Sequence, residues 1–279
     1  MGENSLSVKM KNLRRRLRGL GSLLVAFSGG VDSTFLLAVS HEILGKGVVA
    51  ATAVSNIHPI REQEEAIKFT RKNGIQHILF QSDETGLPEF ISNGPDRCYF
   101  CKKALLTKLF DIADERGIEY VAHAANLDDL KDYRPGARAA QETGVIEPLV
   151  DVGLTKDEIR SLSRKMGLPT WDKASMACLA SRIPYGEPIT DKKLKMVEEA
   201  EDFLLSKGFR QFRVRYHGSV ARIEVESSEL KMIVREETRK AVIEKFRSLG
   251  FLYVAVDLQG YMPGNLNRAL TMAPPSNRG

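Results

Sequence analysis

Short apolar runs alternate with stretches of helical period through the first half of this chain, and that rhythm constrains its fold more than any other feature. Strand-like runs occupy Ser22–Phe27, Val48–Ser55, His77–Ser82 and Tyr120–Ala125. Between them, Ser33–Leu44, Pro59–Asn73 and Cys101–Arg116 are each long enough for a helix. Pro59 suits a first helical position, and Gly74 and Gly117 fall where helices stop. Such alternation predicts a parallel sheet with helices on both faces. A further helix is expected over Lys156–Met166, opened by Thr155 and Glu158 at capping-box spacing.

The rhythm breaks at Gly167–Ile189, which carries three prolines and the lone Trp171 and has little amphipathic period. A connection of that length in a compact protein is functional or a linker. Beyond it the pattern reads helix (Asp191–Lys207), strand (Phe212–Tyr216), strand (Val220–Val225), helix (Glu229–Ser248) and strand (Leu252–Val256). That order suggests a small α+β domain of split βαβ type. The expected organisation is α/β: a parallel-sheet domain over 1–170, a functional loop over 171–189, a smaller α+β domain over 190–270 and a frayed tail over 271–279.

With 279 residues, two domains are the natural division. No run approaches the roughly 18 apolar residues of a membrane-crossing helix. Basic residues stand near the N-terminus, but the apolar stretch after them, Leu23–Phe27, is too short for a secretory leader and runs into glycines. Leu6 at the sixth position argues against myristoylation. A cytoplasmic protein without a membrane partner is expected. The net charge of +5, from 41 Lys and Arg against 36 Asp and Glu, suits a small polyanion such as a nucleotide. The Arg14–Arg16 run reads as the solvated face of an N-terminal helix, and nucleic acid is not the expected partner.

The strand at Ser22–Phe27 leads into Ser28-Gly29-Gly30-Val31-Asp32-Ser33, after which a helix begins. Glycines let the backbone approach an anion, and the free N–H groups at a helix start point toward it. Ser28 and Ser33 add hydroxyls, and Asp32 can hold a cation or an N–H. The Gly-Lys-[Ser/Thr] of a Walker A loop is absent. Lacking that lysine, the loop suits a departing pyrophosphate better than γ-phosphoryl transfer. The hexapeptide resembles the PP-loop of the ATP pyrophosphatase superfamily, whose members adenylate a carbonyl or carboxylate oxygen. The resemblance implies bound ATP with Mg2+ and a reaction class, but no substrate.

Three cysteines in a cytosolic chain do not make a disulfide framework. Cys98 and Cys101 form a Cys-x-x-Cys pair just before a predicted helix, and Cys178 lies in the long loop. Arg97, Lys102 and Arg182 nearby favour thiolates. A structural zinc takes four ligands, and no histidine has the matching spacing. Three thiolates can instead hold an iron–sulfur cluster with one iron open. Three unrelated buried thiols, or a redox pair, are the other readings.

Cys98-x-x-Cys101-Lys-Lys, Asn126-x-Asp-Asp129, Asp132-Tyr-Arg-Pro-Gly136, Cys178-Leu-Ala-Ser-Arg-Ile-Pro-Tyr-Gly186 and Ala221-Arg-Ile-Glu224 occur in this order. Together they resemble the LarE family of pyridinium-3,5-biscarboxylic acid mononucleotide sulfurtransferases, over about Leu13 to Leu270. The resemblance implies adenylation of a pyridinium mononucleotide carboxylate and its conversion to a thiocarboxylate for the nickel-pincer nucleotide. Ser28–Ser33 then hold the ATP phosphates and Cys178 is the sulfur-chemistry cysteine. Ser181, Arg182, Arg213 and Arg215 match residues that cradle the substrate phosphate, and Arg213 and Arg215 alternate along a strand, so both can face one pocket. Glu201 and Glu224 match carboxylates for a divalent cation, or are salt-bridge partners.

One subtype of that family gives up the sulfur of a single cysteine. The other ligates a 4Fe–4S cluster through three cysteines and passes on sulfur from sulfide or another donor. Cys98, Cys101 and Cys178 match the second, and a homo-oligomer is expected. His123-Ala-Ala-Asn126 departs from the common Asp-Gly-Thr-Asn, and Ala174 stands where proline is common. A tRNA thiolase and a non-catalytic nucleotide-binding protein remain as alternatives.

Overall fold

The computed structural model describes residues 2–131, 135–174, 177–262 and 264–268. The tail expected over 271–279, and Asp132, Tyr133 and Arg134 of the third motif segment, lie outside them. The chain divides into two units, Met1–Glu84 with Asp96–Met176, and Thr85–Pro95 with Ala177–Gly279.

In chain order the first unit contains α1 (Gly2–Arg18), β1 (Leu23–Ala26), α2 (Val31–Leu44), β2 (Val48–Val54), α3 (Ile60–Lys72) and β3 (Gln76–Gln81). After the one-turn helix α4 (Pro88–Ile91), which belongs to the second unit, come α5 (Arg97–Glu115), β4 (Tyr120–Ala122), α6 (Pro135–Thr143), α7 (Pro148–Asp151) and α8 (Lys156–Lys165). The four strands form one sheet in the order β3-β2-β1-β4. All pairings are parallel, with Leu23 opposite both Val48 and Tyr120. Alternate residues of a strand face opposite sides. Leu23 and Val25 join Leu13, Leu17, Phe35 and Ile159 in one buried core, while Leu24 joins Leu106 and Leu109 in another. The helices therefore cover both faces, as the apolar rhythm predicts. The capping box at Thr155 and Glu158 is formed, with both reciprocal bonds present.

The second unit contains α9 (Asp191–Ser206), β5 (Phe212–His217), β6 (Val220–Val225), α10 (Leu230–Ile233), α11 (Glu236–Ser248) and β7 (Tyr253–Val256). Its sheet runs β5-β6-β7, with β5 antiparallel and β7 parallel to β6. The split βαβ arrangement suggested by the sequence is not formed, because β6 and β7 are direct neighbours. A tight turn at Gly218, whose φ is +61°, folds β5 back along one edge of β6 and leaves the other edge for β7. The single helix expected over Glu229–Ser248 is broken instead. Arg235 takes extended geometry (φ −57°, ψ 141°), and Glu236 and Glu237 open a new first turn, where acidic side chains favour the helix dipole. Ala200, Leu204, Val214, Ile223, Val242 and Phe246 fill the core of this unit.

Thr85–Pro95 joins this unit through long-range bonds. Asn93 is buried in the left-handed region (φ 54°), and its side-chain amide donates to the carbonyls of Pro184 (2.7 Å) and Glu187 (2.9 Å). The Gly186 and Ile189 N–H groups donate back to the carbonyls of Asn93 and Ile91, each at 3.0 Å.

Candidate functional site

The Ser28–Ser33 segment follows β1 at the carboxyl edge of the parallel sheet, and its last three residues, Val31, Asp32 and Ser33, already form the start of α2. β1 is flanked by β2 on one side and β4 on the other, so the chain reverses its order around β1. The crevice at such a switch point is where open parallel sheets bind ligands. Gly29 has φ +68°, the left-handed region that favours glycine, and a Cβ there would stand 3.4 Å from that of Ala66. Gly30 caps α2 without any side-chain bond, so no cap residue takes up the amides of the first helical turn. The Ser28 and Ser33 hydroxyls lie 3.1 Å apart across the loop.

Two lysines reach this loop from distant sequence. Lys156 Nζ is 2.6 Å from Asp32 Oδ2, and Asp32 Oδ1 is buried with no hydrogen-bond partner. Lys173 Nζ donates to the Gly29 carbonyl (3.0 Å) and to Glu65 (2.7 Å). Asp128 accepts the Lys156 N–H at 2.9 Å, and Asp129 accepts the Asn126 N–H at 3.0 Å. Both carboxylates thus organise the segment that follows β4. The sequence motif pointed to Asp128 and Asp129, whereas nothing in it marked Lys156 or Lys173. Their partners are 124 and 144 positions away, beyond any local spacing.

A second polar cluster is built within the other unit. Arg213 and Arg215 both lie on β5 and are both nearly buried, flanking Val214, which points into the core. Arg182 is fully buried and grips Glu201 with two parallel bonds of 2.8 Å. Its remaining nitrogen donates to the Ala177 and Cys178 carbonyls and the Ser181 hydroxyl. Arg215 donates to Glu224 and to the Ser181 carbonyl, each at 2.8 Å, and its Nε is buried with no hydrogen-bond partner. Glu224 also accepts from Arg222 and Asn265.

Burial pulls the Arg213 guanidinium down to about 10, helped by the neighbouring Arg182 and Arg215 and opposed by Glu201 and Tyr261. It stays cationic at neutral pH. Burial pushes the Glu201 carboxyl up, but Arg182, Arg213 and the Val214 N–H outweigh it and hold the group below its usual value. Arg222 is paired with Asp257 as well as Glu224, so the three buried arginines, Arg182, Arg213 and Arg215, face two buried carboxylates, and the excess positive charge suits a phosphate.

No protein-family model matches the chain. It is 43% identical to an uncharacterized protein of Synechocystis, over 95% of this chain and 99% of that one. It is 34% identical to the pyridinium-3,5-bisthiocarboxylic acid mononucleotide synthase of Lactiplantibacillus plantarum, over 96% of this chain and 97% of that one. The chain belongs to the LarE family. More distantly, it is 23% identical to a glutamine-hydrolyzing GMP synthase chain of Archaeoglobus fulgidus, over 68% of this chain and 66% of that one. The PP-loop fold expected from the sequence is thus shared with these relatives.

Cys98 and Cys101 lie inside the first turns of α5, not before the helix, because the helix starts at Arg97 with Asp96 as its N-cap. Three positions apart, they share one helix face, and both are half-buried. Cys178 is half-buried in the second unit, at the start of a single helical turn, Leu179–Arg182. Among the described residues no three His, Cys, Asp or Glu side chains gather as a metal site. Glu201 and Glu224 are counter-ions of arginines, and a cation would have to break those pairs to reach them.

Lys102, which follows the cysteine pair, is pulled by burial down to about 8, against the raising influence of Cys101, Glu147 and Asp129. His123, which departs from the common family motif, sits 3.3 Å from Glu147. Burial, then Lys102, hold its pKa below the usual histidine value despite that carboxylate.

Proposed function

We propose that the chain is an ATP-dependent sulfurtransferase that adenylates a carboxylate of a pyridinium mononucleotide, releases pyrophosphate and converts the acyl-adenylate to a thiocarboxylate for nickel-pincer nucleotide synthesis. One observation carries this reading: a chain-long likeness to a pyridinium-3,5-bisthiocarboxylic acid mononucleotide synthase, in a fold that keeps the Ser28–Ser33 loop open at the sheet's switch point.

In this mechanism the α2 amides and the Ser28 and Ser33 hydroxyls hold the ATP phosphates. A substrate carboxylate oxygen attacks the α-phosphorus, the bond to the β-bridging oxygen breaks, and pyrophosphate leaves with the negative charge that the helix N-terminus favours. Asp32, whose Oδ1 is buried without a hydrogen-bond partner, would hold a Mg2+, which would supply positive charge against the ATP phosphates. Arg213 and Arg215, with Ser181 and Arg182 around them, bind the substrate's own phosphate. The spare Nε–H of Arg215 gives that phosphate a donor without cost to the existing pairs. A sulfur nucleophile then attacks the acyl carbon and displaces AMP.

Cys98, Cys101 and Cys178 are the thiol donor set that would hold a 4Fe–4S cluster, with Cys98 and Cys101 on one face of α5. When bound, such a cluster supplies an open iron able to take up sulfide from a donor. Anaerobic reconstitution tests the ligand set: each single Cys→Ala change should lower the iron content, and protein that holds no iron overturns it. Incubating the enzyme with ATP and the substrate tests the whole reading. AMP, pyrophosphate and a thiocarboxylate product are expected; ADP and phosphate as the main nucleotide products would falsify it.

A further inference from the structure

The phosphate loop has no lysine of its own, yet two lysines end on it, and they are held very differently. Lys156 is committed to Asp32, with both side chains largely sheltered. Lys173 has weaker partners: a neutral carbonyl, Gly29 O, and Glu65, whose side chain is 57% exposed. Although the Lys173 side chain is itself only 19% exposed, its carboxylate partner stands in solvent, where such a pair contributes little, so the ammonium can leave Glu65 at small cost.

The backbone that carries Lys173 is tied down on both sides. Arg160 donates to the Trp171 and Lys173 carbonyls, each at 2.8 Å, and the Lys173 N–H donates to the Thr170 carbonyl at 3.0 Å. Arg164 lies over the Trp171 ring, 4.9 Å from its centre. The result is a rigid base carrying a flexible, strongly hydrated point charge whose tip already rests on residue 29 of the phosphate loop.

We propose that Lys173 is the phosphate-binding lysine of this loop, supplied from 144 residues away. Resting on the ATP-cleaving reading above, its Nζ leaves Glu65 when ATP binds and pairs with the β- and γ-phosphates. It then neutralises the pyrophosphate as the bond from the α-phosphorus to the bridging oxygen breaks. Its single positive charge sits beside the group on which the electron pair of that bond ends, where charge stabilisation is strongest. The amides at the α2 N-terminus and Lys173 thereby divide the work that one loop performs in a Walker A motif, backbone donors from one segment and the cation from another.

The test is a set of titrations of the full chain with ATP, inorganic pyrophosphate and AMP. Lys173→Ala should weaken ATP and pyrophosphate by about tenfold to a hundredfold, the loss of one charge-assisted contact, and leave AMP within about twofold. Lys173→Arg should recover part of the loss. Glu65→Ala, which removes only the resting partner, should leave pyrophosphate binding unchanged or tighter. Unchanged pyrophosphate affinity in Lys173→Ala, an equal loss for AMP, or a Glu65→Ala variant as weak as Lys173→Ala would each overturn the assignment. Lys173→Gln serves if the alanine variant does not fold. If ATP gives ADP and phosphate, the adenylation reading fails and these affinities still judge Lys173. If products are AMP and pyrophosphate but the affinities do not move, Lys173 alone is wrong.

Discussion

The molecule prepares two anion sites by opposite means. The Ser28–Ser33 loop uses backbone: glycines, a helix start without a side-chain cap, and small hydroxyls, with its lysines brought from elsewhere. The cluster around Arg213 and Arg215 uses side-chain charge, taken out of water and balanced by the buried Glu201 and Glu224. Backbone donors cost nothing to desolvate beyond what the fold already spends, because they are oriented by the helix itself. Buried guanidiniums hold a ligand more strongly, but each must be matched by a carboxylate or the unit is destabilised. In the first design a side chain can be lost at a cost to activity with little cost to stability; in the second, stability and binding are inseparable.

The largest expected effect breaks that balance. Arg182→Ala leaves Glu201 buried without its bidentate partner and should cost about 3–5 kcal/mol of stability in the second unit. Urea unfolding checks it, and a loss below about 1 kcal/mol would show that the pair is not what holds this pocket. Next, Arg213→Ala and Arg215→Ala should each weaken the substrate mononucleotide by about 1.5–3 kcal/mol while ATP affinity stays put. Equal losses for the two ligands in parallel titrations would erase the distinction between the sites. Ser28→Ala or Asp32→Ala should slow pyrophosphate release at least about tenfold, roughly 1.4 kcal/mol, with little change in the urea midpoint. Pyrophosphate release assays and unfolding curves on the same variants decide it.

The mildest prediction concerns acid. The Glu201 carboxyl has a folded pKa held below its unfolded value, so its contribution is fully present above the ordinary carboxylate range and is lost as pH falls through the folded value. Glu201→Gln should therefore flatten the acid limb of the stability–pH curve. An unchanged acid limb would mean that another group governs it.

These two designs also differ in how far they can be read from sequence. The loop's glycines and hydroxyls were legible because they lie within six residues, from the end of a strand into the first turn of a helix; its lysines were not, because they come from 124 and 144 positions away. The same locality made the strands, the Thr155 capping box and the alternation of Arg213 and Arg215 legible. Local pattern misled in three places. Apolar period ran straight through Val234 and Arg235, where the chain breaks its helix; it started a helix at Cys101, although α5 begins at Arg97 and takes in Cys98; and it took β6 and β7 for separated strands, although the Gly218 hairpin leaves them adjacent.

What the sequence alone determined is therefore whatever depends on neighbours a few positions apart: a parallel sheet, a phosphate loop at its carboxyl edge, and paired arginines on one strand face. Only the tertiary structure decided which charges meet. Arg182 finds Glu201 nineteen positions on, Asn93 finds Pro184 and Glu187, Lys156 finds Asp32, and Lys173 finds Gly29. Residue spacing carries no record of such meetings. A buried charge pair is set by where the packed core brings two segments together, and an ionised group left there without a partner is too costly to persist.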